Sequence, residues 1–203
     1  MQEYEFWLLD LDGTILAADD GYITETIGAV GDLLGRRFTS AEARSIWYGR
    51  DGLRDDILRR HGVPPPAFWD AFHTIESPEL RADATTLHPD AEVITDLDGP
   101  RGVVTHCQPY LLEPILDRLD IRDWFDTIVT GSDELGWKPD PAPMTRAMRQ
   151  LAVNGDRGAM VGDSIADLGA ARNVGITGIF IDREGLTTDV EADVVIDSLS
   201  ELV

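Results

Sequence analysis

A chain of 203 residues, 43% of them hydrophobic, has room for a sizeable buried core, which excludes intrinsic disorder. Its 38 acidic side chains against 17 basic ones leave a formal charge of −21, a field that repels nucleic acid and anionic membranes and argues against both as partners. No apolar run is long enough to span a bilayer, the opening Met-Gln-Glu-Tyr-Glu has no basic signal region, and the single cysteine, Cys107, cannot form an intramolecular disulfide, so a cytoplasmic location is expected.

In chain order, Phe6–Leu9 is a short apolar run and reads as a buried strand, followed at once by Asp10-Leu11-Asp12-Gly13-Thr14. From about residue 17 to 82 the pattern turns helical, with Ile23–Leu34, Ser40–Trp47, Leu53–His61 and Pro65–Phe72 and no convincing strand between them. Pro64-Pro65-Pro66 cannot lie in a helix interior and separates two of them. Pro89–Leu97 reads as a further helix. It runs into Asp96-Leu97-Asp98-Gly99, which repeats the letters of the first acid motif but is followed by Pro100 and ends a helix, so it is read as a turn. The strand Gly102–Thr105, the helix Tyr110–Leu119 and the strand Thr127–Thr130 follow, then Lys138 and the helix Pro141–Leu151. Ala159–Val161 is the next strand, with Asp163 just beyond it. The helix Ile165–Val174, capped by Gly175, and the strands Gly178–Ile181 and Val194–Ile196 complete the chain. Strands alternating with helices predict an α/β fold, a Rossmann-like parallel sheet with helices on both faces, from residues 1–16 and 83–203. A small all-helical domain, residues 17–82, is inserted after the first strand.

In a parallel sheet every strand ends on the same edge, so residues that follow strands converge there. That edge collects Asp10, Asp12, Thr105, Lys138, Asp163 and Asp167. Asp10 and Asp12, two apart on an extended segment, point to one side, and close carboxylates repel unless a cation or proton intervenes. With Asp163 they form an oxygen-rich pocket suited to a hard divalent ion such as Mg²⁺, while Lys138 and Thr105 can hold the oxygens of a phosphoryl group. A calcium loop opening at Asp10 would need an acid at its twelfth position, which is Gly21. The chain holds sixteen arginines and one lysine. Acid-rich, lysine-poor chains resemble proteins of salt-loving organisms, and a lysine kept against that trend is expected to have a function.

These residues resemble the four motifs of the haloacid dehalogenase superfamily, in its phosphatase branch. The first is the strand ending in Asp10-Leu11-Asp12-Gly13-Thr14, the second Thr105, the third Lys138-Pro139, and the fourth Gly162-Asp163-Ser164-Ile165-Ala166-Asp167. The resemblance implies that Asp10 attacks phosphorus and forms an aspartyl-phosphate, and that Asp12 protonates the leaving oxygen and then activates water. It implies that Asp10, the backbone carbonyl of Asp12, and Asp163 hold Mg²⁺, that Thr105 and Lys138 clamp the phosphoryl oxygens, and that Asp167 supports the metal site or pairs with Lys138. The helical insert falls where this superfamily carries a helical cap. Trp47-Tyr48-Gly49-Arg50 and Arg54 are its candidate specificity residues, an arginine being able to reach a second anionic group on the substrate. Trp47, Tyr48, Trp69 and Phe72 read as cap core. His106 stands after Thr105 where the superfamily often has Asn, which leaves the backbone there, rather than the side chain, to meet phosphate. The expected substrate is a small phosphorylated metabolite, with phosphoglycolate or a sugar phosphate fitting the cap type. A phosphomutase keeps Asp12 too and stays open as an alternative, as does a non-catalytic phospho-acceptor module, although such modules lack the helical insert.

Overall fold

The computed structural model describes residues 3–49, 53–183, 185 and 190–203. Six strands, β1 (Phe6–Leu9), β4 (Arg101–Thr105), β5 (Thr127–Thr130), β6 (Gly158–Gly162), β7 (Thr177–Ile181) and β8 (Val194–Ile196), form one parallel sheet in the order β5-β4-β1-β6-β7-β8. All four residues of β1 are buried, because both faces of the sheet are covered. Trp7 and Leu9 join the cluster on one face, with Val103, Val161 and Ile179; Phe6 and Leu8 join the other, with Val104, Met160 and Met144. The chain leaves β1 toward β4 and β5, then returns to β6 on the other side. The C-terminal tip of β1 is therefore a point where the strand order reverses, which in open α/β sheets is where ligands bind.

Between β1 and β4 the described residues form five α-helices: α1 (Asp20–Leu33), α2 (Ser40–Tyr48), α3 (Leu53–Arg60), α4 (Pro65–Ile75) and α5 (Pro78–Asp83). Asp19 caps α1 by accepting the Tyr22 N–H, which starts this helix three residues earlier than its apolar pattern indicates. Thr39 and Glu42 form a capping box on α2. Ile23, Ile27 and Val30 face Ala43, Ile46, Ile57, Leu58 and Phe68 in a cluster separate from the two sheet faces. Trp47, Tyr48, Trp69 and Phe72 pack against it, as core residues should.

Some features differ from the sequence reading, helix α5 among them, which it did not name. The stretch read as a helix over Pro89–Leu97 is only a short 3-10 turn, Ala91–Asp96. Asp90 stands at its start but does not cap it, because its carboxylate accepts from Arg183 (3.0 Å), the Ser198 hydroxyl (2.7 Å) and the Leu199 N–H (2.8 Å). In addition, β2 (Leu16–Ala18) and β3 (Thr85–Leu87) pair antiparallel where no strand was expected, so the two chain passages that lead into and out of the helices run side by side. The shortest helix, α5, packs on α6 (Pro109–Leu119) of the α/β part. Two further helices, α7 (Ala142–Gln150) and α8 (Ile165–Val174), flank the sheet. Among the described residues no helix is long and apolar enough to cross a membrane.

Candidate active site

Asp10 follows β1, its N–H bonded to the Val161 carbonyl of the neighbouring strand. Asp163 follows β6, and Asp167 lies in the first turn of α8. One carboxylate oxygen from each of the three comes within 4.8 Å of the others, and all three residues are buried. Gly13 makes the close approach possible: it takes a φ of +84°, and a Cβ there would collide with the Asp163 carboxylate. Asp167 is doubly committed. One oxygen completes a capping box with Ser164 at the start of α8, and the other meets Lys138.

Lys138 reaches this cluster from the segment after β5. Its ammonium is 2.7 Å from Asp10 Oδ1, 2.6 Å from Asp167 Oδ1 and 2.7 Å from the Val104 carbonyl, so its three donors are all engaged. Burial works against the charged form of Lys138, but Asp10 and Asp167 outweigh it and raise the pKa. Burial pushes the Asp10 carboxyl up; Lys138 opposes this and Asp167 adds to it. Asp10 and Asp167 thus share one ammonium, and Asp163 completes the cluster of buried carboxylates. A donor set made only of carboxylate oxygens fits a hard divalent cation. Thr105 closes β4, is 1% exposed, and accepts the Cys107 N–H at 3.0 Å, which leaves its own hydroxyl proton to donate.

The side chain of Asp12 lies outside the three-acid cluster. Its carboxylate is paired instead with Arg81 of α5, so any part it plays toward a metal falls to its backbone carbonyl. Arg81 is a residue that sequence reasoning missed. It is 3% exposed, and its guanidinium lies 4.3 Å from the centre of the Trp47 ring. Beside it, Glu76 at the end of α4 is 8% exposed, with one oxygen lacking a hydrogen-bond partner. Burial pushes the Glu76 carboxyl up to about 7; Arg81 pulls it down and Asp12 raises it. A carboxyl raised on folding favours the fold below its ordinary value of 4.5 and costs stability as pH climbs through 7. Glu76→Gln is therefore expected to be as stable as the parent at pH 4 and more stable at pH 8, by about 3 kcal/mol. A variant no more stable than the parent at pH 8 in thermal denaturation would contradict this cost.

Arg54 is brought near the site but is largely spent on structure. Its guanidinium donates to the carbonyls of Ile46 (2.5 Å) and Trp47 (2.8 Å) and lies over the Trp69 ring at 5.0 Å. Burial lowers its pKa, and Asp55 and Asp163 act to raise it, so its charge is felt at the acid cluster. Arg50 lies outside the described residues. His106 stands edge-on to Trp137.

A parallel sheet whose strand tips gather an acid pair, a threonine, a lysine and a second acid pair defines a hydrolase of the haloacid dehalogenase type. The family model for haloacid dehalogenase-like hydrolases matches residues 7–175, and the chain belongs to this family. A phosphoglycolate phosphatase of Nitrosococcus oceani is 32% identical over an alignment of 221 positions, which covers 100% of this chain and 96% of the relative. Among solved structures, a HAD phosphatase from Thermococcus onnurineus is similar with a TM-score of 0.70 and 25% identity, covering 98% of this chain and 95% of that one. A HAD family hydrolase from Deinococcus radiodurans, solved with bound phosphate and sodium, shares the fold with a TM-score of 0.68 and 22% identity, covering 100% and 94%.

Proposed function

We propose that this hydrolase is a Mg²⁺-dependent phosphatase that cleaves a small organic phosphate monoester through an aspartyl-phosphate on Asp10. The observation that carries the proposal is the meeting of Asp10, Asp163, Asp167 and Lys138 at the tip of β1. Asp10 attacks phosphorus in line, since it is held at the strand tip by its backbone bond to Val161 and by Lys138. Asp12 gives a proton to the leaving oxygen and then takes one from the attacking water, a role worth about 10²–10⁴-fold. The Thr105 hydroxyl donates to a phosphoryl oxygen. Lys138, with its donors already taken, contributes through its charge or by giving up one protein partner. Asp10, the backbone carbonyl of Asp12, and Asp163 would hold the metal, with Asp167 fixing Lys138 beside it. When bound, Mg²⁺ supplies positive charge that offsets the repulsion between an anionic nucleophile and an anionic phosphate.

We read residues 17–82 as a cap over the site and keep Arg50 and Arg54 as its candidate specificity residues. The pairing of β2 with β3 supports that reading, because it gives the insert a narrow two-stranded attachment. The relatives named as phosphoglycolate phosphatases make phosphoglycolate the first candidate substrate. The acid-rich, lysine-poor composition supports a cytoplasmic setting with high salt. The test is phosphate release from phosphoglycolate, several sugar phosphates and 4-nitrophenyl phosphate, at low and high KCl, with Mg²⁺ or with EDTA. Release that needs Mg²⁺ and favours phosphoglycolate is expected. Release unaffected by EDTA would overturn the metal assignment, and no release from any ester would overturn the reading as a phosphatase.

A further inference from the structure

A buried arginine is costly unless its donors are paired, and Arg81 is poorly paired. It is 3% exposed, and its Nε and one terminal nitrogen have no hydrogen-bond partner. Among the described residues the hydrogen bond its guanidinium makes is to Asp12 Oδ1, across 69 residues of sequence. Two things hold it there. The Thr85 hydroxyl donates to the Arg81 carbonyl at 2.7 Å, fixing the end of α5 where the chain enters β3. The Trp47 ring, from α2, covers the guanidinium at 4.3 Å. Glu76 supplies a second, more distant negative charge. Packing that would suit an apolar residue has instead been given to a cation that touches Asp12.

We infer that Arg81 is a positioning residue that acts through Asp12, aiming the proton-transferring carboxylate at the leaving oxygen. The inference rests on the role proposed above for Asp12. Asp12 is 30% exposed at its side chain, so without a partner its carboxylate is free to rotate away from the reacting bond. The hydrogen bond that Asp12 accepts from Arg81 through Oδ1 leaves Oδ2 to carry the proton and selects one orientation before substrate arrives, and a misplacement on the order of 1 Å in such a group costs about 10²-fold. Trp47 ties that orientation to the helical insert, since the ring that covers Arg81 belongs to α2 and packs with the insert's own core.

A general acid matters most where the leaving group is a poor one. Phosphoglycolate leaves as an alkoxide and needs the proton; 4-nitrophenyl phosphate leaves as a stabilised phenolate and does not. The experiment measures the first-turnover rate with both esters for the parent, Arg81→Gln, Arg81→Lys, Asp12→Asn and the Arg81→Gln/Asp12→Asn double variant. In Arg81→Gln the alkyl ester is expected to lose about 10²-fold and the aryl ester far less, with little change in KM. Adding Arg81→Gln to Asp12→Asn is expected to cost almost nothing further, because the two act as one unit. Arg81→Lys should recover part of the alkyl rate. If Arg81→Gln does not fold, Arg81→Lys decides by the same comparison. Equal losses on the two esters in the Arg81 variant, while Asp12→Asn separates them, would overturn the positioning role and leave the phosphatase reading standing. If Asp12→Asn itself does not separate the esters, the role of Asp12 fails first.

Discussion

Asp10→Asn is expected to remove turnover, by about four orders of magnitude or more, while leaving the fold intact. A carboxamide cannot attack phosphorus as a carboxylate does, and among the described residues no neighbour is placed to substitute. Asp163 and Asp167 are close, but Asp167 is committed to Lys138 and to the cap of α8, and Asp163 sits against Gly13. The fold should survive because Asn keeps an oxygen where Lys138 Nζ now donates at 2.7 Å. It also removes a carboxyl whose pKa burial has pushed up, a group whose ionised form costs stability at neutral pH. The melting temperature at pH 7.5 should therefore match or exceed that of the parent. Acid-quenched parent protein should carry a phosphate on the peptide containing Asp10, and the variant should not. A variant that kept activity within about tenfold of the parent would rule out covalent catalysis at this position.

The strands were legible for one physical reason: a parallel strand covered on both faces reads as an unbroken apolar run. Phe6–Leu9 is such a run, buried throughout, and the structure begins and ends it where the apolar residues do. The site followed from the strands, because topology alone carries residues 10, 105, 138 and 163 to one edge. What stayed hidden depends on contacts between distant parts of the chain. The β2–β3 ribbon is three residues on each side, and it pairs Leu16 with Leu87 across the whole length of the helical insert. Pro89–Leu97 has a helical pattern, but Asp90 is worth more to Arg183 and the C-terminal turn than as a helix cap. Arg81 is one of sixteen arginines, and nothing in its sequence neighbours marks it. Its meaning appears only when α5 sets it against Asp12 and α2 lays Trp47 over it. Lys138 was the opposite case, visible through scarcity.

Lys138→Met is expected to cost both stability and turnover, and the two losses should separate under pH and Mg²⁺. Methionine matches the length and apolar stem of lysine but leaves Asp10 and Asp167 without the ammonium that now lies between them. Removing one partner of a buried ion pair costs about 3–5 kcal/mol, because the charge left behind is desolvated and uncompensated. Asp10 can relieve this by taking up a proton: burial already raises its folded pKa above the ordinary 3.8, and losing Lys138, which now lowers it, raises it further. Stability of that kind is present below the unfolded value and is lost as pH rises through the folded one. The gap in melting temperature between variant and parent should therefore be small near pH 4 and largest near pH 8. A divalent cation at the three carboxylates supplies the missing charge, so Mg²⁺ should narrow the gap at pH 8 and stabilise the variant more than the parent. Turnover should still fall by about 10²–10³-fold at saturating Mg²⁺, since a metal would not replace the ammonium now held against Asp10 and Asp167. Combining Lys138→Met with Asp10→Asn should recover part of the stability, because the neutral amide no longer needs a cation. A gap that ignores both pH and Mg²⁺ would mean that Lys138 packs at the strand tip without compensating the acids, and the charge balance on which the site is built would be wrong.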